Sequence, residues 1–265
     1  DPQKFPSGLG ALGDYVHGLG MKFGVHFALA EANADSPVLQ AHPDWSATGE
    51  DSFHGAASLC LSNQPARDWI VEEAIRMIDE YHLDGLRLDA TQQIFDASDD
   101  NIMAAIVRRV HEAAGDRKTF VVGENEPGHV LLVRPPERGG YGLDALWNDD
   151  FHHSAMVALT GRREAYYSDY RGVPSEFVAA AKYGCLYQGQ HYVWQKKRRG
   201  TPALELPAET RVVYLQNHDQ VANSAAGLRV HALTSPGRCR AMTAYLLLMP
   251  GIPMLFQGQE FAAST

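Results

Sequence analysis

Short runs rich in Val, Leu and Phe recur along the chain and alternate with stretches whose apolar residues fall at helical spacing. Few folds accept that alternation. A strand reached again after each helix lies parallel to its predecessor, and parallel sheets are covered by helices on their faces. Six strands are predicted, at residues 22–27 (KFGVHF), 85–89 (GLRLD), 119–124 (TFVVGE), 144–148 (DALWN), 211–216 (RVVYLQ) and 252–256 (IPMLF). In residues 64–81, Trp69, Ile70, Ala74, Ile75, Met77 and Ile78 recur close to helical period behind Asn63, a favoured N-cap. Residues 101–114 repeat the pattern, so the predicted class is α/β with a parallel sheet.

Polar residues gather where these strands end. Asp89 closes one, Glu124 closes another, and Asn217, His218 and Asp219 follow a third. In a (β/α)8 TIM-barrel the C-terminal strand ends carry the active site. A single Asp there is equally well read as the cap of the next helix, but three strand-end carboxylates on one sheet favour the barrel. The segment 149–206, with its FHH, Tyr166, Tyr167, Tyr170, Trp194 and several glycines, is expected to form helices and loops inserted over that face.

Composition narrows the function. At 265 residues, 45% apolar and 21% charged, the chain has the content of one globular domain. A formal charge of −9 repels phosphate backbones and anionic lipid heads, and the basic cluster Lys196, Lys197, Arg198, Arg199 is too short to reverse it. A neutral substrate is expected, with no nucleic-acid or membrane partner. The longest apolar stretch, residues 244–256, is broken by two prolines and a glycine, and no signal-peptide pattern opens the chain, so a cytoplasmic location is expected. Cys60, Cys185 and Cys239 are odd in number and widely spaced, which suggests reduced core residues.

Asp89 and Glu124 end neighbouring predicted strands, and neighbouring strands run about 4.8 Å apart. Retaining glycoside hydrolysis needs two carboxyl groups roughly 5–5.5 Å apart, so side chains at those tips reach the required separation. Arg87 lies two residues before Asp89 and therefore on the same face, as an orienting guanidinium or as a structural ion pair. Trp147, Tyr141 and Trp194 are candidate sugar platforms, with core packing an equal alternative. Asp149, Asp150, His152 and His153 lack a second ligand set at metal spacing, so no metal or other cofactor is expected. Helix capping and pocket polarity account for them better.

From residue 84 onward the chain resembles glycoside hydrolase family 13, the α-amylase family. The likeness is carried by GLRLDATQ, VVGENEP, GLDALWNDDFHHSAMVALTGRREAYY, LQNHDQVAN and PMLFQGQEFAAS, in that order within residues 85–264. WNDDFHH points to the trehalohydrolase branch. Residues 1–83 instead resemble the barrel of family 36 α-galactosidases, through KFPSGLGALGDYVHGLGMKFGVHF, AHPDW and LCLSNQPARDWIVEEAIRMIDEYHLD. Both families are (β/α)8 barrels, so the chain reads as a chimera forming one catalytic barrel domain over 1–265, with parts 1–83 and 84–265. Against the eight-strand template the six strands correspond to the third through the eighth. An incomplete barrel is therefore expected, either open or completed by a second copy in a homo-oligomer.

The resemblance implies Asp89 as nucleophile, Glu124 as general acid/base and Asp219 as a third catalytic carboxylate, with Arg87, His218, Trp147, Asp150 and Asn217 binding substrate. It implies hydrolysis of α-1,4-glucosidic bonds in oligosaccharides, above all malto-oligosaccharides ending in trehalose. The family's DVVYNH-type block is not recognisable in GVHFALAEANADSP, where His26 and Glu31 stand as substitutes or as an ordinary buried histidine and loop acid. The galactosidase acids at this place are replaced by Ala28 and Ala30. The alternatives are a catalytically inactive carbohydrate-binding barrel fragment and an α-galactosidase.

Overall fold

The computed structural model describes residues 3, 5–29, 31–33, 35–47, 57–224 and 226–264; Ala30 lies outside them. The chain divides into two compact units, residues 1–125 with 131–144 and residues 126–130 with 145–265.

In the first unit, parallel strands β1 (Gly24–Phe27), β2 (Gly85–Leu88) and β3 (Phe120–Gly123) lie side by side with β2 central. Every residue of β2 is buried, Arg87 included, as a strand covered on both faces requires. Gly85 is obligatory there, because a Cβ would stand 2.5 Å from both the ring and the carbonyl oxygen of Phe120. Helix α1 (Leu9–Gly18) precedes β1, α2 (Gln64–Asp79) precedes β2 and α3 (Ile102–Ala114) precedes β3. Asn63 caps α2 through the Ala66 amide, and Asn101 caps α3 through the Met103 amide. The predicted stripe of α2 is buried at Ile70, Ala74 and Ile78, while Trp69, Ile75 and Met77 are partly covered. Each fully buried Ile is worth about 1.5–3 kcal/mol.

One arginine ties α2 to the loop after β2. Arg67 is 7% exposed, and its Nη1 donates to Asp96 at 2.6 Å and to the Leu61 carbonyl at 3.3 Å. Nη2 donates to the Asp100 carbonyl, and Asp96 also accepts from the Ile102 amide at 2.6 Å. The loop is thereby fixed to α2 and to the first turn of α3.

In the second unit β4 (Ala145–Trp147), β5 (Arg211–Tyr214) and β6 (Ile252–Met254) are parallel, again with the middle strand wholly buried. Asn148 caps α4 (Asp149–Thr160) through the Phe151 amide at 3.1 Å. Phe151 and Ala155 of α4 pack with Val213, Leu215, Leu246 and Met249 in one core. Helices α5 (Pro174–Tyr183), α6 (His218–Ala222) and α7 (Pro236–Leu248) complete the main elements.

All six expected strands are present, shorter by one or two residues at their ends. The trimmed residues, Asp89 and Glu124 among them, leave the ladder to begin loops. Parallel strands alternating with helices are the order expected of an incomplete (β/α)8 TIM-barrel. The three cysteines are free; only Cys185 is buried, a correction to the expected core setting of Cys60 and Cys239, which are half-buried. Among the described residues no helix is long and apolar enough to cross a membrane.

Candidate active site

The polar centre of the first unit lies at the C-terminal ends of β1, β2 and β3. Arg87 projects from β2 with 9% exposure, and Asp89 follows two residues later on the same face. The Arg87 Nη1 donates to Oδ1 of Asp89, and Nη2 lies 3.1 Å from Oε2 of Glu124. His26, beside Arg87 in strand register, places Nε2 3.3 Å from Oδ1 of Asp89. The Asp89 and Glu124 carboxyls are close enough to share a hydrogen bond.

Backbone geometry fixes Glu124 from the other side. Ala90 adopts a left-handed conformation, φ 42 and ψ 42, which a residue with a Cβ seldom takes. That turn presents its amide to Oε2 of Glu124 at 2.9 Å. The Glu124 amide donates to the Leu88 carbonyl at 2.9 Å, and its own carbonyl accepts from the Thr91 amide at 3.0 Å. The strained residue thus sits next to Asp89 and holds Glu124.

The two carboxyls are driven apart in acidity. The hydrogen bond from His26, helped by the bond to Glu124 and the charge of Arg87, holds Asp89 well below the usual carboxylate range despite partial burial. Burial pushes Glu124 up, and the neighbouring Asp89 adds to the rise against the pull of Arg87 and the Ala90 amide. The more acidic carboxyl therefore faces the less acidic one, the order that nucleophilic attack by one and proton donation by the other require.

A cavity of about 850 Å³ opens beside Asp89, lined in part by Ala28, Leu29, Glu31, Leu59, Gln93 and Phe95. Phe95 is 81% exposed on its wall, and the Arg67-anchored loop supplies Asp96, Ala97 and Ser98. Its volume suits a small oligosaccharide.

The other residues expected to bind sugar, Tyr141 excepted, belong to the second unit. Trp147, at the end of β4, packs its ring 5.5 Å from Tyr214 and meets His218 edge-on at 6.2 Å. His218 and Asp219 are exposed in the first turn of α6, where Asp219 accepts from Asn223 at 2.7 Å. Asn217 is the N-cap of that helix, its Oδ1 accepting from the amides of Asp219 and Gln220 at 2.9 and 3.1 Å. Trp194 is 51% exposed in the turn between His191–Tyr192 and Lys197–Arg198. Tyr141, in the first unit, is half-buried, its amide donating to the Leu131 carbonyl at 3.0 Å.

Asp150 differs from the expected substrate contact. It is 7% exposed, and its oxygens accept from Tyr170 at 2.7 Å, the Leu186 and Tyr187 amides at 2.9 Å and Arg199 Nε at 3.0 Å. Arg199, 2% exposed, also pairs with Glu126 and lies over the rings of Tyr187 and Tyr192. With its lone pairs committed to protein donors, Asp150 anchors the insertion. His152 bonds the Leu215 carbonyl at 2.9 Å and the Tyr167 hydroxyl at 3.1 Å, and burial lowers its pKa to about 4. No metal-binding cluster of His, Cys, Asp and Glu occurs among the described residues.

The chain is similar to malto-oligosyltrehalose trehalohydrolases. The protein of that name from Deinococcus radiodurans is 32% identical over 266 residues, which span 100% of this chain and 43% of that one. Its counterpart from Saccharolobus solfataricus is 36% identical over 195 residues, 74% of this chain and 34% of that one. The chain thus covers less than half the length of either relative. A crystal structure of a Salmonella typhimurium protein assigned as an alpha amylase superposes with a TM-score of 0.87 at 32% identity, covering 97% of this chain and 44% of that one. The Geobacillus thermoleovorans alpha-amylase complexed with acarbose matches at a TM-score of 0.66 and 19% identity over 97% of this chain and 53% of that one, a likeness of fold.

The family model Melibiase matches residues 1–114. The two likenesses therefore overlap, since the Deinococcus alignment runs through the whole chain and the Melibiase match continues past Asp89.

Two features of the centre escaped the sequence reading. The left-handed turn at Ala90 has no signal, because alanine is not a residue that marks such a turn. The cavity wall at Gln93–Ser98 reads in sequence as an ordinary polar loop, and only the buried Arg67–Asp96 pair shows it to be fixed.

Proposed function

We propose that this chain is the catalytic barrel part of a retaining glycoside hydrolase that cleaves α-1,4-glucosidic bonds, with malto-oligosaccharides ending in trehalose as substrate and trehalose as product. The observation that carries the reading is one guanidinium, Arg87, contacting both Asp89, whose acidity is raised, and Glu124, whose acidity is lowered, with the two carboxyls within hydrogen-bond reach. The names of the Deinococcus and Saccharolobus relatives supply the substrate class.

In this mechanism Asp89 attacks the anomeric carbon while Glu124 delivers its proton to the departing glycosidic oxygen. The sugar is then held as an ester on Asp89, and Glu124, now ionised, deprotonates the water that releases it. Arg87 neutralises whichever carboxylate carries the charge: Asp89 before attack, Glu124 afterward. Asp219, His218 and Trp147 take their sugar-binding roles from sequence likeness.

A second reading, α-galactoside cleavage, is favoured by the Melibiase match over residues 1–114 and by a family-36-like origin of residues 1–83. Purified chain assayed side by side on maltosyltrehalose, maltopentaose and an α-galactoside separates the two. Trehalose release from maltosyltrehalose is expected. Release of galactose alone favours the second reading, and binding without product on any of the three contradicts both.

A further inference from the structure

His26 and Arg87 are paired residues on neighbouring parallel strands, so their side chains leave the sheet on the same face. The imidazole Nε2 lies 3.3 Å from Oδ1 of Asp89 and 3.1 Å from Nη1 of Arg87. One nitrogen carries at most one hydrogen, so Nε2 cannot donate to Asp89 and accept from Arg87 at once. The second ring nitrogen decides between them. Nδ1 is 3.5 Å from the same Nη1, so the guanidinium lies against the ring and is not aligned with a single lone pair. An Nε2 that carries its hydrogen toward Asp89 at 3.3 Å, with Nδ1 left to accept from Arg87 at 3.5 Å, satisfies both contacts.

Both bonds to Asp89 fall on one oxygen, because Arg87 Nη1 also donates to Oδ1. On Glu124 the contacts likewise converge on Oε2, from the Ala90 amide and Arg87 Nη2. Oδ2 of Asp89 and Oε1 of Glu124 take no part in these contacts. The imidazole itself is 47% exposed, which a purely packing role does not require. The charged groups facing it are Asp89 and Arg87 from the second strand, with Glu124 reached through Arg87.

We propose that His26 is a positioning residue for the nucleophile: with Arg87 it holds Oδ1 of Asp89, making Oδ2 the attacking oxygen. This rests on the reading of Asp89 as nucleophile. A second donor matters because a carboxylate held by a single contact can rotate about its Cβ–Cγ bond, and misplacement of an attacking atom by about 1 Å costs on the order of 100-fold in rate.

The test uses the full chain carrying aspartate labelled with carbon-13 at the side-chain carboxyl, the Asp89 signal being assigned by its loss in Asp89→Asn. His26→Phe keeps a ring of similar breadth without a donor, and His26→Gln restores a neutral donor. In His26→Phe the Asp89 titration midpoint is expected to move up, and in His26→Gln to return part of the way. An unchanged midpoint in folded His26→Phe overturns the proposal, and this readout needs no turnover.

The same variants are then treated with 5-fluoro-α-glucosyl fluoride, whose leaving group needs little help from an acid, and the rate of mass increase is followed. Labelling is expected to slow by about 10- to 100-fold in His26→Phe and far less in His26→Gln. Equal slowing in both variants overturns the positioning role. A wild-type chain whose Asp89 responds to His26 as expected, yet never takes label, refutes the glycosidase reading and leaves the hydrogen bond intact.

Discussion

Nη2 of Arg87 lies 3.1 Å from Oε2 of Glu124, on the guanidinium that also binds Asp89. One positive charge thus serves two carboxyls that share a hydrogen bond, and a single cation neutralises only one of them. Burial makes Glu124 the weaker acid of the two, and the His26 contact makes Asp89 the stronger.

The nucleophile is tested by Asp89→Asn. Removing a group that forms the covalent intermediate should lower turnover by on the order of 10⁴-fold or more. Trehalose release from maltosyltrehalose measures it, and an unchanged rate is incompatible with the assignment.

Glu124→Gln should separate proton donation from attack. Cleavage of a natural glycoside is expected to fall by about 10²- to 10⁴-fold, whereas formation of the glycosyl ester from α-glucosyl fluoride should change little. In the wild type, activity should decline on the alkaline side as Glu124 loses its proton, and on the acid side only as Asp89 gains one below the usual carboxylate range.

Stability should follow the same two groups with opposite signs. Between the ordinary carboxyl pKa and its raised folded value, Glu124 keeps a proton that the unfolded chain has lost, so stability falls as pH rises through that window. Glu124→Gln is therefore expected to melt above the wild type at pH values beyond the window, with the difference vanishing below it. Asp89 is depressed on folding, so its contribution is present above the unfolded pKa and is lost as pH falls through the folded one. Thermal melting of both variants across pH measures these trends, and an Asp89→Asn variant that melts above the wild type at neutral pH contradicts them.

Asp150→Ala leaves Arg199 as a charge 2% exposed without its Nε partner, and frees the Leu186 and Tyr187 amides. A loss of about 3–5 kcal/mol in urea denaturation is expected. If Asp150 bound substrate instead, KM would rise with stability unchanged.

Arg67→Ala should cost a similar amount, about 3–5 kcal/mol, because Asp96 has only 3% side-chain exposure and loses its cation. The Gln93–Ser98 loop should then exchange its amide hydrogens faster than β2 does. Uniform protection in the variant would show that the loop does not depend on Arg67.

The strands were legible because a buried parallel strand is mostly apolar, as Leu86 and Leu88 of β2 and Val212 and Val213 of β5 are. Asp89 and Glu124 were legible because they interrupt that rule where strands end. Asp150 was misread because WNDDFHH places two adjacent acids at a helix start, where sequence cannot tell which one turns inward. The structure turns Asp150 into the tyrosine-rich insertion and lets Asp149 accept from the Tyr214 hydroxyl. His26 was left with two readings because its role depends on strand register, and register is decided by the whole sheet rather than by residues 22–27.

The most direct measurement is the proton NMR spectrum of the sugar released in the first moments of hydrolysis, before its anomers interconvert. Two carboxyls within hydrogen-bond reach leave no room for a water between enzyme and sugar, so the first product should be the α-anomer, formed by two displacements. The β-anomer as first product would mean a single displacement by water, and would contradict Asp89 as the attacking group.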